Sequence, residues 1–201
     1  MHVAEMSWKD IERSVKRDPR CCVPIGSVEQ HAQLSICTDT ILAERIAVEA
    51  ARPLEIPVFP VIPYGLSSYF TAFPGTINLR MTSLLALMRD VIFSLHRSGF
   101  AQICVISGHG GNAPISELLK EIMSEKTDLS LKYHEWWRAP RTAAQAFNID
   151  PSGSHANWFE NFVWTRIGQE QSAQEDKALI DRSLMEVSGP AKVREILGDG
   201  S

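Results

Sequence analysis

An α/β fold with a largely parallel sheet is what this sequence predicts, and two observations carry that expectation. Short apolar runs alternate along the chain with longer segments of helical periodicity, the pattern imposed when helices connect parallel strands. Two of those runs end in polar motifs, Gly26-Ser27-Val28-Glu29-Gln30-His31 and Ser107-Gly108-His109-Gly110-Gly111-Asn112. In open parallel sheets ligands gather outside the carboxyl ends of strands, where both motifs would lie.

The elements follow in order. Ser7 with Asp10 is a capping box ahead of Ile11 and Val15, so a first helix should run to Asp18-Pro19. Cys21 to Val28 reads as a buried strand that delivers Glu29, Gln30 and His31 at its end. Thr38 or Asp39 opens a second helix, helical in period from Ile41 to Val48. Ile56 to Ile62 reads as an edge strand, because Pro57 and Pro60 cannot donate to a central ladder. Pro63 to Asn78 is a long loop carrying Tyr64, Tyr69, Phe70 and Phe73, and a loop of that length in a compact domain is more often functional than decorative.

Thr82 or Ser83 caps an amphipathic helix through Leu84, Leu87, Met88, Val91, Ile92 and Leu95, which stops at Gly99. Gln102 to Ser107 is a strand, Pro114 to Ser124 a helix and Leu129 to Tyr133 a short strand. Ser154 caps a further helix on which Asn157, Glu160 and Trp164 share one face. Gln169 to Lys177 reads as an exposed polar segment, and the end of the chain, from Val193, brings no closing element.

Length and composition narrow the function classes. The 201 residues suit one domain over 1–201. A net charge of -4 and a pI near 5.9 leave no basic footprint for nucleic acid. No run approaches the roughly 20 apolar residues of a membrane span, and the N-terminus lacks a secretory apolar core. Cys21, Cys22, Cys37 and Cys104 have no zinc-finger spacing and read as free thiols of a reducing compartment. A soluble cytoplasmic protein is expected.

The chemistry lies in the two motifs. On an extended segment Glu29 and His31 leave the same face. His109 sits on a glycine-rich turn, and Asp39 can add a carboxylate at the mouth of the second helix. Mixed histidine and carboxylate ligation suits zinc, manganese or ferrous iron, and two such ions about 3.5 Å apart can activate water against a carbonyl. Taken singly, His31 or His109 reads as a hydrogen-bonded loop histidine rather than a ligand, and Glu29 could be an exposed strand-end charge; their joint occurrence at two strand ends points to a site. His155 fits either proton transfer near neutrality or a place at a helix cap. Trp136, Trp137, Trp158 and Trp164 fit either core or the walls of a planar substrate's pocket, and His134 either a pocket wall or ordinary packing.

At these residues the chain resembles the creatininase (creatinine amidohydrolase) family. The matching pieces are Pro24 to His31, Thr38-Asp39-Thr40, Phe73-Pro74-Gly75-Thr76, Gly108 to Asn112 and the His155 to Glu160 segment, in family order. The resemblance implies a three-layer α/β fold, a two-metal centre and cleavage of an amide C–N bond. By that resemblance Glu29, His31, Asp39 and His109 match metal ligands, with Asp39 bridging. Glu160 matches a further ligand or base, and His155 a histidine that transfers protons. Asn112, Tyr69, Phe70, Trp136 and Trp158 are the expected substrate-binding residues.

The chain also departs from the family pattern. Ala32 to Thr38 is one residue short, Gly111 stands where creatininase has a metal-binding glutamate, and Phe70 stands where many relatives carry histidine. Asn157 and Trp158 replace small and acidic residues, and the C-terminal end looks truncated beside relatives. A kept metal core with a rebuilt substrate pocket is the implication. The resulting expectation is a metal-dependent amidohydrolase, using water activated by two divalent metal ions (Zn, Mn or Fe) on a small cyclic amide or formamide, and acting as a homo-oligomer. Beside it stand a peptidase trimming a small modified peptide and a catalytically inactive family scaffold.

Overall fold

The computed structural model describes residues 1–168 and 188–198. Three parallel strands, β1 (Arg20–Ile25), β2 (Gln102–Ser107) and β3 (Ser130–Glu135), form a sheet in that order. Their register runs from Arg20 opposite Gln102 to Ile25 opposite Ser107, and from Gln102 opposite Ser130 to Ser107 opposite Glu135. The ends of β1 and β2 therefore lie side by side, which brings the two polar motifs to one rim.

Alternation along the strands makes the three layers. Cys21, Val23 and Ile25 of β1 join Ile103 and Val105 of β2 on one face. Against them pack Leu84, Met88, Ile92 and Leu95 of α3 (Met81–Arg97) and Ile115, Leu118, Leu119 and Ile122 of α4 (Ile115–Glu125). Ile11 and Val15 of α1 (Trp8–Arg17) complete that layer, their helix capped by the Ser7–Asp10 box as expected. Cys22 and Ile106 face the other way, onto Ala47 and Ala51 of α2 (Thr38–Ala51). All four cysteines are free thiols.

Several expectations need correction. Strand β1 stops at Ile25, so Gly26 to Val28, expected as its end, lies outside it, with Val28 making an isolated bridge to Ile77. Residues 56–62 run parallel beside β1 but make only isolated bridges, Val58 to Cys22 and Ile62 to Ile25, because Pro57 and Pro60 have no N–H to give. Helix α3 starts at Met81 without a side-chain cap, two backbone N–H groups of its first turn donating to Arg80 O.

No α-helix starts at Ser154. A single 3-10 turn, Trp158–Glu160, forms there instead, because polar side chains capture the backbone. Asn157 Oδ1 accepts from Ser154 N and Phe159 N, and Thr165 Oγ1 donates to Glu160 O while accepting from Phe162 N. Trp164 consequently leaves the expected face and stacks on Phe162 beneath Arg45.

Among the described residues, two helices escaped the sequence reading. One is α5 (Pro140–Ile149), with Pro at its first position; the other is α6 (Pro190–Leu197), which buries Val193 and packs on the Ser68–Phe70 turn. Val193 to Leu197, expected to bring no element, is therefore helical. The Gln169 to Lys177 segment lies outside the described residues.

What places α2 matters most for the site. Its first turn lies directly on the ends of β1 and β2, where Gly26 and Gly108 leave the room. A Cβ on Gly26 would stand 2.4 Å from Thr40 N, and one on Gly108 2.1 Å from Asp39 O. Neither neighbour is a side chain that can swing aside. Gly26→Ala should therefore lower unfolding stability by about 1–3 kcal/mol, as overpacking does, read from the denaturant midpoint at unchanged slope.

Candidate metal centre

Asp39 lies in the first turn of α2, 1% exposed, between two imidazoles. His31 Nε2 is 3.0 Å from Asp39 Oδ1, and His109 Nδ1 is 2.9 Å from Asp39 Oδ2. Glu29 Oε1 lies 3.3 Å from His109 Nδ1, and Glu160 Oε2 lies 3.6 Å from His31 Nε2. Five residues from four separated segments thus converge at the rim of the sheet. Three groups of three ligand-type residues result: Glu29/Asp39/His109 and His31/Asp39/Glu160, which share Asp39, and Glu29/His31/His155, which does not use it.

The short loop between His31 and Asp39 does not disturb this. It turns at Ala32, whose φ is 49°, and Leu34 N donates to His31 O. Ser35 N donates to Thr165 O, tying the loop to the segment that carries Glu160.

Backbone carbonyls orient both rings. His31 Nδ1 donates to Glu29 O at 3.1 Å, and His109 Nε2 donates to Leu66 O at 2.7 Å. With those protons placed by their acceptors, the nitrogens that face Asp39 carry lone pairs in the neutral rings. Metal-binding histidines are commonly fixed in this way by a carbonyl on the far nitrogen. The carboxylates have the same character: Glu29 Oε1 and Oε2 and Asp39 Oδ2 are buried without a hydrogen-bond partner among the described residues. The 2.9 Å approach of His109 to Oδ2 is close but outside hydrogen-bond geometry. Buried acceptors that face lone pairs call for protons or cations between them, so this donor set fits divalent metal.

Titration directions report the same crowding. Burial works against charge on His31, yet Asp39, Glu160 and Glu29 outweigh it and raise its pKa to about 9. His109 is likewise opposed by burial and raised well above the ordinary value by Glu29 and Asp39. Burial would raise Asp39, but the His31 and His109 charges hold it well below the usual carboxylate range. Burial, with Asp39 and Glu29 nearby, lifts Glu160 to about 7 against the pull of His31. His155 is driven well down, first by burial and then by the His31 charge.

The other expected residues are placed unequally. His155 borders the centre, its Nδ1 3.7 Å from Glu29 Oε1 and its ring stacked on Phe70 at 4.9 Å. Asn112 is fully buried, and its amide is spent on the backbone: Nδ2 donates to Gly26 O and Oδ1 accepts from Leu66 N. Tyr69 is exposed, whereas Trp136 is buried against Phe159, which also contacts Trp158. His134 is half-buried at the end of β3. Two contributors were missed, Leu66 O and Gln30. Nothing in a sequence marks a backbone carbonyl, but Gln30 stood inside the first motif; its carbonyl accepts from His155 Nε2 at 3.1 Å.

A parallel α/β sheet with a paired histidine–carboxylate cluster at its rim defines the class. The chain belongs to the creatininase family, whose model, described as creatinine amidohydrolase, matches residues 4–197. It is 29% identical over 118 residues to the creatinine amidohydrolase of Pseudomonas putida, covering 55% of this chain and 45% of that protein. It is 33% identical over 101 residues to the mycofactocin precursor peptide peptidase of Mycolicibacterium smegmatis, covering 47% of this chain and 40% of that one. The chain thus spans less than half the length of either relative. A crystal structure of creatinine amidohydrolase (creatininase) shares the fold, with a TM-score of 0.70 and 24% identity over 79% of this chain and 69% of its own. No helix among the described residues is long and apolar enough to cross a membrane.

Removing Asn112 strands two backbone groups beside the centre. Asn112→Ala should cost about 1–3 kcal/mol of stability in chemical denaturation, the penalty for buried groups left unpaired.

Proposed function

We propose that the protein is a metal-dependent amidohydrolase that cleaves the C–N bond of a small cyclic amide or formamide. One observation carries the reading: two of the three ligand groups share a single buried carboxylate, Asp39, with a different imidazole facing each of its oxygens. Glu29 and His109 would hold one cation with Asp39, and His31 and Glu160 a second. Zinc, manganese or ferrous iron suits such donors. When bound, two divalent cations supply a water of lowered pKa and a polarised carbonyl.

The residues around them have separable tasks. His155 Nε2 donates to Gln30 O, so Nδ1 is the nitrogen left to take a proton and return it to the leaving amine. Phe70 stacks on one face of that ring, and Trp137 comes within 3.9 Å of the Cβ position of Gly110, next to His109. Aromatic walls of this kind suit a small planar substrate.

A peptidase is the second reading, and a cavity favours it. A groove of about 200 Å³ lies between α5 and the Trp158–Glu160 turn, lined by Trp137, Phe147, Pro151 and Phe159. That volume is the size of a side chain rather than of a whole ligand, and the similarity to a peptide peptidase points the same way. We further propose a cytoplasmic homo-oligomer; exposed Trp8, Ile149 and Val163 are the large apolar side chains that subunit contacts would cover.

Asp39→Ala should lose both bound cations, by elemental analysis, and all amide hydrolysis. In the parent protein, saturating zinc or manganese at about a hundred times Kd should add about 2.7 kcal/mol of stability, and Asp39→Ala should show no such gain. An Asp39→Ala protein with stoichiometric metal and parental turnover would end the proposal, and a parent that binds none would favour the inactive scaffold.

A further inference from the structure

The C-terminal helix reaches the centre through a chain of ring contacts. Val193 anchors α6 in the interior, and the next residue, Arg194, projects onto the 68–73 turn. Its Nη1 donates to Ala72 O at 2.7 Å, and its guanidinium lies 5.5 Å from the centre of the Phe73 ring. Phe73 packs edge-on to Phe70 at 6.3 Å, and its N–H donates to Phe70 O at 2.9 Å. Phe70 lies 9° from parallel on His155, and His155 in turn contacts the His31 ring at 4.3 Å.

The turn is held from its other end as well. Ser67 bonds Ser27 through the two hydroxyls, and its N–H donates to Asn78 Oδ1 at 2.8 Å. Leu66, one residue earlier, fixes His109. The loop therefore sets one imidazole through a carbonyl near its root and another through an aromatic face near its tip. At the root it is bonded to the sheet rim; at the tip it is bonded to Arg194.

We propose that Arg194 is a positioning residue: by clamping the turn at Ala72 and Phe73 it keeps Phe70 flat on His155 and so fixes the direction of Nδ1. A ring free to tilt would carry its proton off line, and misplacement on the scale of an ångström is costly to catalysis. The catalytic consequence rests on the amidohydrolase reading; the clamp itself does not.

The test uses the full chain with zinc bound. In Arg194→Ala the His155 ring-proton NMR signals should move towards unstacked positions, as in Phe70→Leu, and kcat should fall roughly tenfold or more with metal content unchanged. Arg194→Lys, which keeps a donor and a cation, should restore most of both. Lys192→Ala, on the same helix and paired with Glu195, should alter neither. Unmoved His155 signals in Arg194→Ala would overturn the proposal, as would moved signals with parental kcat. If the parent hydrolyses no amide while the signals move as stated, the amidohydrolase reading fails and the clamp stands.

Discussion

A carboxylate buried between two imidazoles is the constraint on which this molecule is organised. Asp39 has almost no contact with solvent, and neither do Glu29 and His31. Taking charges out of water is expensive unless each finds a partner. The first turn of α2 offsets part of that cost, because the positive end of a helix favours a negative charge. The rest depends on the imidazoles and on whatever cation the cluster holds. Such a concentration of like charges serves no packing purpose, and a core built for stability alone would place apolar groups there.

Much of the fold can be read as support for that point. Parallel β1 and β2 end together, and their glycines let α2 approach closely enough for Asp39 to lie between the motifs. The apolar face under α1, α3 and α4 holds the sheet. Asn112 joins the end of β1 to the start of the long loop, and that loop then orients His109. Glu160 arrives from far along the chain, its backbone tied by Thr165 and its carboxylate accepting Ala156 N at 2.6 Å. Each ligand-type residue is carried by a segment with its own reason to be where it is.

The sequence was most informative where one local rule acts alone. The Ser7–Asp10 box, the β2 run and the start of α2 at Thr38 follow from capping and apolar patterning, and the structure has them. The ligand-type residues were recognisable because carboxylates and histidines at two strand ends have no packing role. Reading failed where side chains compete with backbone. Asn157 and Thr165 reduce an expected helix to one turn, and Pro57 and Pro60 reduce an expected strand to bridges. Long-range contacts left still less trace. The packing of α6 on the 68–70 turn, and the commitment of Asn112 to backbone, depend on residues tens of positions apart.

Anomalous diffraction from crystals grown with manganese or zinc tests the central claim most directly. The account predicts two cation peaks about 3.5–4 Å apart, each about 2.0–2.2 Å from an Asp39 oxygen, one flanked by Glu29 and His109 and the other by His31 and Glu160. Saturating metal that leaves no peak beside Asp39, or a single ion held elsewhere by exposed acids, would contradict it.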